Sequence, residues 1–162
     1  MKNIVLSAIT FTFCTFLASG SIMANNLSFP IFKVDTGITI VKLRASTPVY
    51  FETVKDINTE TVQIGNLIQL KVRSKVVVKG KTVIYANTTA LGRITEVSRT
   101  TANSSGSATL EVRDVQVVDG QLINLNATYQ LSGDCTPGQP CLIRSGFIIT
   151  AHTMDNEEIE VE

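Results

Sequence analysis

Val76-Val-Val-Lys-Gly-Lys-Thr-Val-Ile-Tyr85 and Val115-Gln-Val-Val-Asp-Gly-Gln-Leu-Ile-Asn-Leu125 decide how this chain is to be read. In each, a run of β-branched residues meets a dipeptide ending in glycine, then a second apolar run. Glycine supplies the positive φ that a tight turn between antiparallel strands demands, so both stretches predict hairpins. With Gly80 set on Gly120, Val78 falls on Val118, Val83 on Ile123 and Tyr85 on Leu125. Between the two lies Ala90 to Val97, a third strand, followed by the polar loop Thr100 to Ser107. The chain reads as an antiparallel meander.

Outward from that centre the same signals recur. Ile68 to Val78 alternates, with Ile68, Leu70, Val72, Val76 and Val78 on one face and Ser74 among them. Gln69, Lys71, Arg73 and Lys75 take the other face, the period-two pattern of a half-buried strand. In Ala108 to Val118 the apolar parity switches at Arg113-Asp114, which predicts a β-bulge and a sheet that curls towards closure. Leu122 to Leu131 alternates again, and Phe147 to Met154 makes a further strand. Pro48 to Val54 predicts a strand with its proline at the start, where a missing N–H does least harm. Ile31 to Leu43, interrupted at Asp35-Thr36-Gly37, predicts one or two short strands. Lys55 to Thr61 reads as a loop or one helical turn, Gly65-Asn66 as a turn, and the tail Glu157 to Glu162 as an edge strand or a frayed end. The expected fold is all-β, a single antiparallel sheet of about 8–10 strands, barrel-like or strongly curled.

The first two dozen residues pose a different problem. Lys2 precedes an apolar run from Ile4 to Leu17, and small residues follow up to Ala24. This is the layout of a secretory signal peptide, with cleavage after Ala24 or, alternatively, after Gly20. The run falls short of the ~20 apolar residues a spanning helix needs, so no stable membrane span is expected after cleavage. Residues 1–24 are read as signal and 25–162 as one β-barrel-like domain exported to the periplasm or cell surface. The chain holds 14 basic and 14 acidic residues. A balance this near neutral argues against a nucleic-acid binder, which needs a strong basic excess.

Cysteine usage agrees with export. Cys14 leaves with the signal, and Cys135 and Cys141 remain in Gly-Asp-Cys-Thr-Pro-Gly-Gln-Pro-Cys. An even pair around a turn-rich spacer predicts a disulfide that pins a loop. A metal site would want further ligands, and His152 is the chain's one histidine. A redox pair usually has two intervening residues at a helix start, where five stand here.

The search for chemistry finds no catalytic set. His152 sits inside a predicted strand, and no glycine-rich phosphate loop opens onto a helix. Glu111, Asp114 and Asp119 offer paired carboxylates, but turn and bulge roles account for the two aspartates. Asp155, Glu157 and Glu158 lack the spacing of a calcium loop. No catalytic residue, metal ligand or cofactor is assigned. Lys71, Arg73, Lys75 and Lys79 form a basic run that suits a solvated strand face guarding an edge. It is also the candidate binding stripe, for an anionic partner.

Val83-Ile84-Tyr85-Ala86-Asn87-Thr88-Thr89-Ala90-Leu91-Gly92-Arg93-Ile94, with Asp119-Gly120 further on, resembles a pattern in the C-terminal barrel of TrbI-type proteins of conjugation and type IV secretion. Thr88, Gly92 and Asp119-Gly120 match it. Tyr85 stands where the pattern has proline, and Asn87 where it has glycine. The resemblance covers roughly Pro48 to Leu125 and carries no catalytic residues. It implies a curled, barrel-like sheet exported to the envelope. The linker, anchor and helical insertion of those proteins have no counterpart in this sequence, so secretion-channel function is not implied.

The expected function is therefore a non-enzymatic cell-envelope domain that binds or scaffolds another envelope protein or a surface polymer. Two alternatives stand beside it: a hydrolase or small-molecule binder using the barrel interior, and a secreted inhibitor using the Cys135–Cys141 loop.

Overall fold

The computed structural model describes residues 37–132 and 135–162. The signal segment, the lead-in, the first part of the Ile31 to Leu43 prediction and two residues of the cysteine loop lie outside the described residues. Twelve strands are present: β1 (Thr39–Leu43), β2 (Pro48–Thr53), β3 (Ile57–Asn58), β4 (Leu67–Val72), β5 (Val76–Val78), β6 (Lys81–Ile84), β7 (Thr89–Ser98), β8 (Ser107–Gln116), β9 (Leu122–Leu131), β10 (Leu142–Ile143), β11 (Ile148–Thr153) and β12 (Glu157–Val161). No helix occurs among the described residues, and the all-β expectation holds.

The single sheet of about 8–10 strands is corrected in one respect. Six strands close a barrel in the order β11-β2-β4-β7-β8-β9, and the other six form three two-stranded sheets, β1-β12, β10-β3 and β5-β6. Closure removes the free edges of an open sheet except along the β9–β11 seam, where the pairing is short. Its interior is apolar and, apart from the Phe51 ring, aliphatic here: Val49, Phe51, Leu70, Val72, Ile94, Leu110, Val112, Ile123 and Ile149 are buried. They belong to one core cluster with Val41, Leu43, Ile143 and Ile159 of the small sheets.

Alternation explains where each strand faces, and two register shifts explain the curl. The bulge expected at Arg113-Asp114 is present, since the β8–β9 register shifts between Val112 and Asp114. A second shift, between Ile94 and Glu96 on β7, had no signal in the sequence reading. The Asp114 side chain is exposed and makes no hydrogen bond among the described residues, so the bulge does not rest on it. Gly92 lies where β7 crosses the Leu110 side chain; a Cβ there would stand 2.7 Å from Leu110 Cδ1. A larger residue there would force Leu110 or β7 to shift.

Two other expectations change, and a third is decided between its alternatives. Ile68 to Val78 is not one strand: β4 ends at Val72, the chain bends through Arg73–Lys75, and β5 leaves the barrel. The main chain dictates the break, because Arg73 N donates to Tyr50 O at 2.8 Å and Asn87 N to Val72 O at 2.7 Å. Lys55 to Thr61 holds the short strand β3, paired with β10, rather than a helical turn. The tail is an edge strand, β12, pairing with β1 from Thr39↔Val161 to Leu43↔Glu157.

The offset of forty between the two opening hairpins is not a structural repeat, since β5–β6 is a satellite and β8–β9 is part of the barrel. The repeat that exists has an offset of one hundred. β2 and β11 pair as Phe51↔Ile149, Tyr50↔Thr150 and Val49↔Ala151, a register that maps onto itself when one hundred is added or removed. Thr53 Oγ1 accepts from Phe147 N at 3.1 Å and donates to Arg144 O at 3.2 Å. Thr153 Oγ1 accepts from Thr47 N at 2.9 Å and donates to Arg44 O at 2.7 Å. Asp56 Oδ1 accepts from Ser145 N at 2.7 Å, and Asn156 Oδ1 from Ala45 N at 3.2 Å. Ser46 and Gly146 take positive φ, 64° and 84°, at the equivalent turns. A local two-fold axis therefore runs between Tyr50 and Thr150. It places the β1–β12 ribbon at one end of the β2–β11 pair and the β10–β3 ribbon at the other.

Candidate binding surface

The basic run divides at the bend. Lys71 stays on the outer face of β4, where its Nζ lies 2.9 Å from Glu52 Oε1 on the neighbouring β2. Arg73 and Lys75 are exposed on the bend, and Lys79 (φ 50°) forms the β5–β6 turn with Gly80 (φ 81°). The four side chains are not brought together on one strand face. An exposed pair such as Lys71–Glu52 contributes ~0–1 kcal/mol and leaves little charge for an anion.

Cys135 and Cys141 are joined, with Cα atoms 5.1 Å apart. Cys141 is buried, and its carbonyl accepts Thr59 N at 3.0 Å and Thr59 Oγ1 at 3.3 Å. Gly138 N donates to Thr101 O at 3.0 Å, and Thr100 Oγ1 to Gln139 O at 3.2 Å. The disulfide thus pins its loop against the polar loop that follows β7. Arg99 completes the clasp, its guanidinium donating to Thr59 O and, at 2.9 Å, to Val62 O. The cysteine spacing marks the disulfide but not this docking, because every contact in it ends on a main-chain carbonyl of a distant segment.

Two carboxylates beside these loops are held below their ordinary range. At Asp56 the Ser145 backbone N–H is the main cause, with Arg144 helping; at Glu60 it is the Thr100 backbone N–H. Arg113 is pushed up by its hydrogen bond to Glu111, 2.9 Å away. All of this is surface electrostatics. His152 is exposed on β11 opposite Pro48 and Asn126. Among the described residues no group of three His, Cys, Asp or Glu side chains could hold a metal ion.

Concave surface occurs outside the barrel. A groove of about 580 Å³ runs between β6 and β12 and is lined by Ile38, Lys81, Tyr85, Val118, Asp119, Glu160 and Glu162, among others. A second, of about 250 Å³, lies on the other side of Tyr85 and Val118. A third, of about 660 Å³, lies over the β7–β8–β9 end, where Ser98, Ser104, Ser107, Thr109 and Gln130 present hydroxyl and amide groups around Glu96. No family model matches this chain, and no curated protein matches it.

The sequence reading passed over Tyr85, Asp119 and Glu160 as a set. Tyr85 was visible as a departure at a proline position, and Asp119 as a turn residue. All three line one groove, and one bond joins two of them: Asp119, which takes Gln121 N on Oδ1 at 3.0 Å, accepts Glu160 N on Oδ2 at 3.1 Å. That bond ties the β8–β9 turn to the tail strand, a contact no local pattern announces.

Proposed function

We propose that this chain is a non-enzymatic, exported cell-envelope domain that binds or scaffolds another macromolecule, an envelope protein or a surface polymer, through the outside of its barrel. The observation that carries the reading is the packed interior. Side chains such as Phe51, Leu70, Ile94, Leu110 and Ile149 are fully buried there, and interiors packed with large aliphatic groups leave no ligand volume. The rival, a small molecule held inside the barrel, needs a cavity at those residues, whereas the three grooves lie outside it.

Two further features support the reading. A disulfide persists in oxidising compartments, in keeping with the leader-like start of the chain. No helix among the described residues is long and apolar enough to cross a membrane. The likeness to the TrbI-type C-terminal barrel also makes physical sense at two positions. Asn87 adopts φ 66° where the pattern has glycine, and Gly92 meets the Leu110 side chain closely. Asparagine tolerates the left-handed region better than most residues.

The test places a photo-crosslinking residue in turn at the exposed positions 73, 85 and 152 and at the half-buried position 105 of the full chain, expressed in a bacterial host and fractionated. The expected result is a mature amino terminus near Asn25 in the envelope fraction and a discrete adduct at one or more positions. Protein retained in the cytoplasm with Met1 intact, or no adduct at any position, contradicts the proposal.

A further inference from the structure

The groove between β6 and β12 has two properties that together select a class of partner. One wall, from β6, is apolar and exposed at Tyr85, 61% accessible, with Val118 between the strands; Ile38, 54% accessible, precedes β1 on the side of β12. The other carries the carboxylates of Asp119, Glu160 and Glu162 against one ammonium, Lys81, whose Nζ is already donating to Glu162 O at 2.7 Å. An aliphatic stem lying on the apolar wall with a cationic head among the carboxylates satisfies both walls, and the face of an exposed tyrosine attracts the same cation. A lysine or arginine side chain has that shape.

Main-chain direction adds the second half of the argument. The Lys79-Gly80 turn is two residues long with positive φ at both, and Val78 faces Lys81 across it. In such a hairpin the pair flanking the turn exchanges hydrogen bonds, so the next residue, Thr82, turns its N–H and C=O away from β5 and towards the groove. On the opposite wall Glu160 N donates to Asp119 rather than to β1. Its C=O shares that outward edge. Two strand edges with outward main-chain groups offer hydrogen bonds to a polypeptide backbone, which a simple polyamine lacks.

We infer that this groove docks an extended, basic segment of a partner protein, with a lysine or arginine seated between Tyr85 and the Glu160 and Glu162 carboxylates. The inference rests on the binding-domain reading above and names the partner class at one site. The probe is a fluorescein-labelled Lys-Val-Lys-Val-Lys peptide, compared by polarisation with Glu-Val-Glu-Val-Glu, using the full mature domain. The lysine peptide should bind and weaken as salt rises, and the glutamate peptide should not bind. Tyr85→Ala, and separately the pair Glu160→Gln with Glu162→Gln, should each lower affinity about tenfold. All three positions are exposed, and thermal melts of the variants check that the fold is kept.

Equal binding of the two peptides, no change in either variant, or full displacement by spermidine at matched charge would overturn the inference. So would sedimentation showing that a second copy fills the groove, with dimerisation lost in Tyr85→Ala. A partner adduct at positions 73, 105 or 152 but never at 85 would remove the groove and leave the binding-domain reading standing. Absence of adducts everywhere would remove both.

Discussion

Replacing Thr53 and Thr153 by valine tests the two-fold arrangement that holds β2 to β11. Valine matches threonine in shape, so the change removes the hydroxyl and little else. Both sites are buried, Thr53 at 1% and Thr153 at 3% exposure. Each hydroxyl accepts one main-chain N–H, from Phe147 or from Thr47, and donates to one carbonyl, of Arg144 or Arg44. A buried N–H left without its acceptor costs about 1–3 kcal/mol. Thr153 belongs in the upper part of that range because its bonds are shorter, 2.9 and 2.7 Å. Thr153 stands opposite Thr47 and Thr53 opposite Phe147. The two sites are thus roughly 20 Å apart at ~3.3 Å per residue, and their effects should add within ~0.5 kcal/mol. The double variant should therefore lose about 2–6 kcal/mol, a large part of the 5–15 kcal/mol typical of a domain. Urea unfolding followed by circular dichroism reads these values. Thr→Ser at either site keeps the hydroxyl and should cost less than Thr→Val. A loss below ~0.5 kcal/mol at either site, or serine as costly as valine, would refute the claim that these hydroxyls join the strands.

Three further outcomes are expected. Changing Cys135 and Cys141 to alanine should cost about 2–3 kcal/mol for a closed loop this short. Hydrogen exchange should quicken at Thr101 and Gly138 while the barrel amides stay protected; loss of protection across β4, β7 and β8 would show that the disulfide holds the core. Gly92→Ala should destabilise by about 1–3 kcal/mol through overpacking against Leu110, read as a lower melting temperature, and a neutral result would mean β7 can shift away. Asp56 and Glu60 have folded-state pKa values below their unfolded ones. Their stabilisation is present above the unfolded carboxylate range and is lost as pH falls through the folded values. Asp56→Asn with Glu60→Gln should flatten the acid limb of the stability–pH curve below about pH 4, and an unchanged limb would count against the main-chain bonds that depress them.

The strands were legible wherever burial alone decided the pattern. Leu122 to Leu131 alternates in sequence and in burial, apart from Tyr129. That ring has inward parity but stays 36% exposed. The reason is the seam. β9 and β11 pair at His152↔Asn126 and Thr153↔Leu125, with Met154 N on Asn124 O beyond them; towards Phe147 the barrel parts and Tyr129 fills the gap edge-on to that ring, centroids 5.7 Å apart. The bulge at Arg113-Asp114 was legible because it reverses an apolar parity. The one at Ile94–Glu96 moves the inward parity from Ala90 and Ile94 to Val97, but Val97 is the one apolar residue after it and exposed Leu91 shares its parity, so alternation did not mark the shift.

Alternation also misled. Ile68 to Val78 keeps its parity through Ser74, yet the chain bends there. The polar stretch Arg73–Lys75 tolerates leaving the sheet, Arg73 N making its last bond to β2 at Tyr50 O while Asn87 N donates to Val72 O. The one-hundred-residue repeat was hidden for a related reason. It is carried by main-chain bonds and by side-chain oxygen acceptors, the hydroxyls of Thr53/Thr153 and the carboxylate of Asp56 or amide of Asn156. The apolar positions between them vary freely in size, from Phe51 to Ala151. The candidate groove depends on the same kind of information, because Asp119 reaches Glu160 across 41 positions of chain.

The most direct test of the central claim uses methyl-labelled protein and whichever macromolecule is cross-linked to it. Titration should shift signals of Ile38, Val118 or other groove-lining groups outside the barrel while the methyls of Leu70, Val72, Ile94, Leu110 and Ile149 stay in place. Large shifts confined to those interior methyls would mean that the barrel opens to take its ligand inside, and would contradict the account.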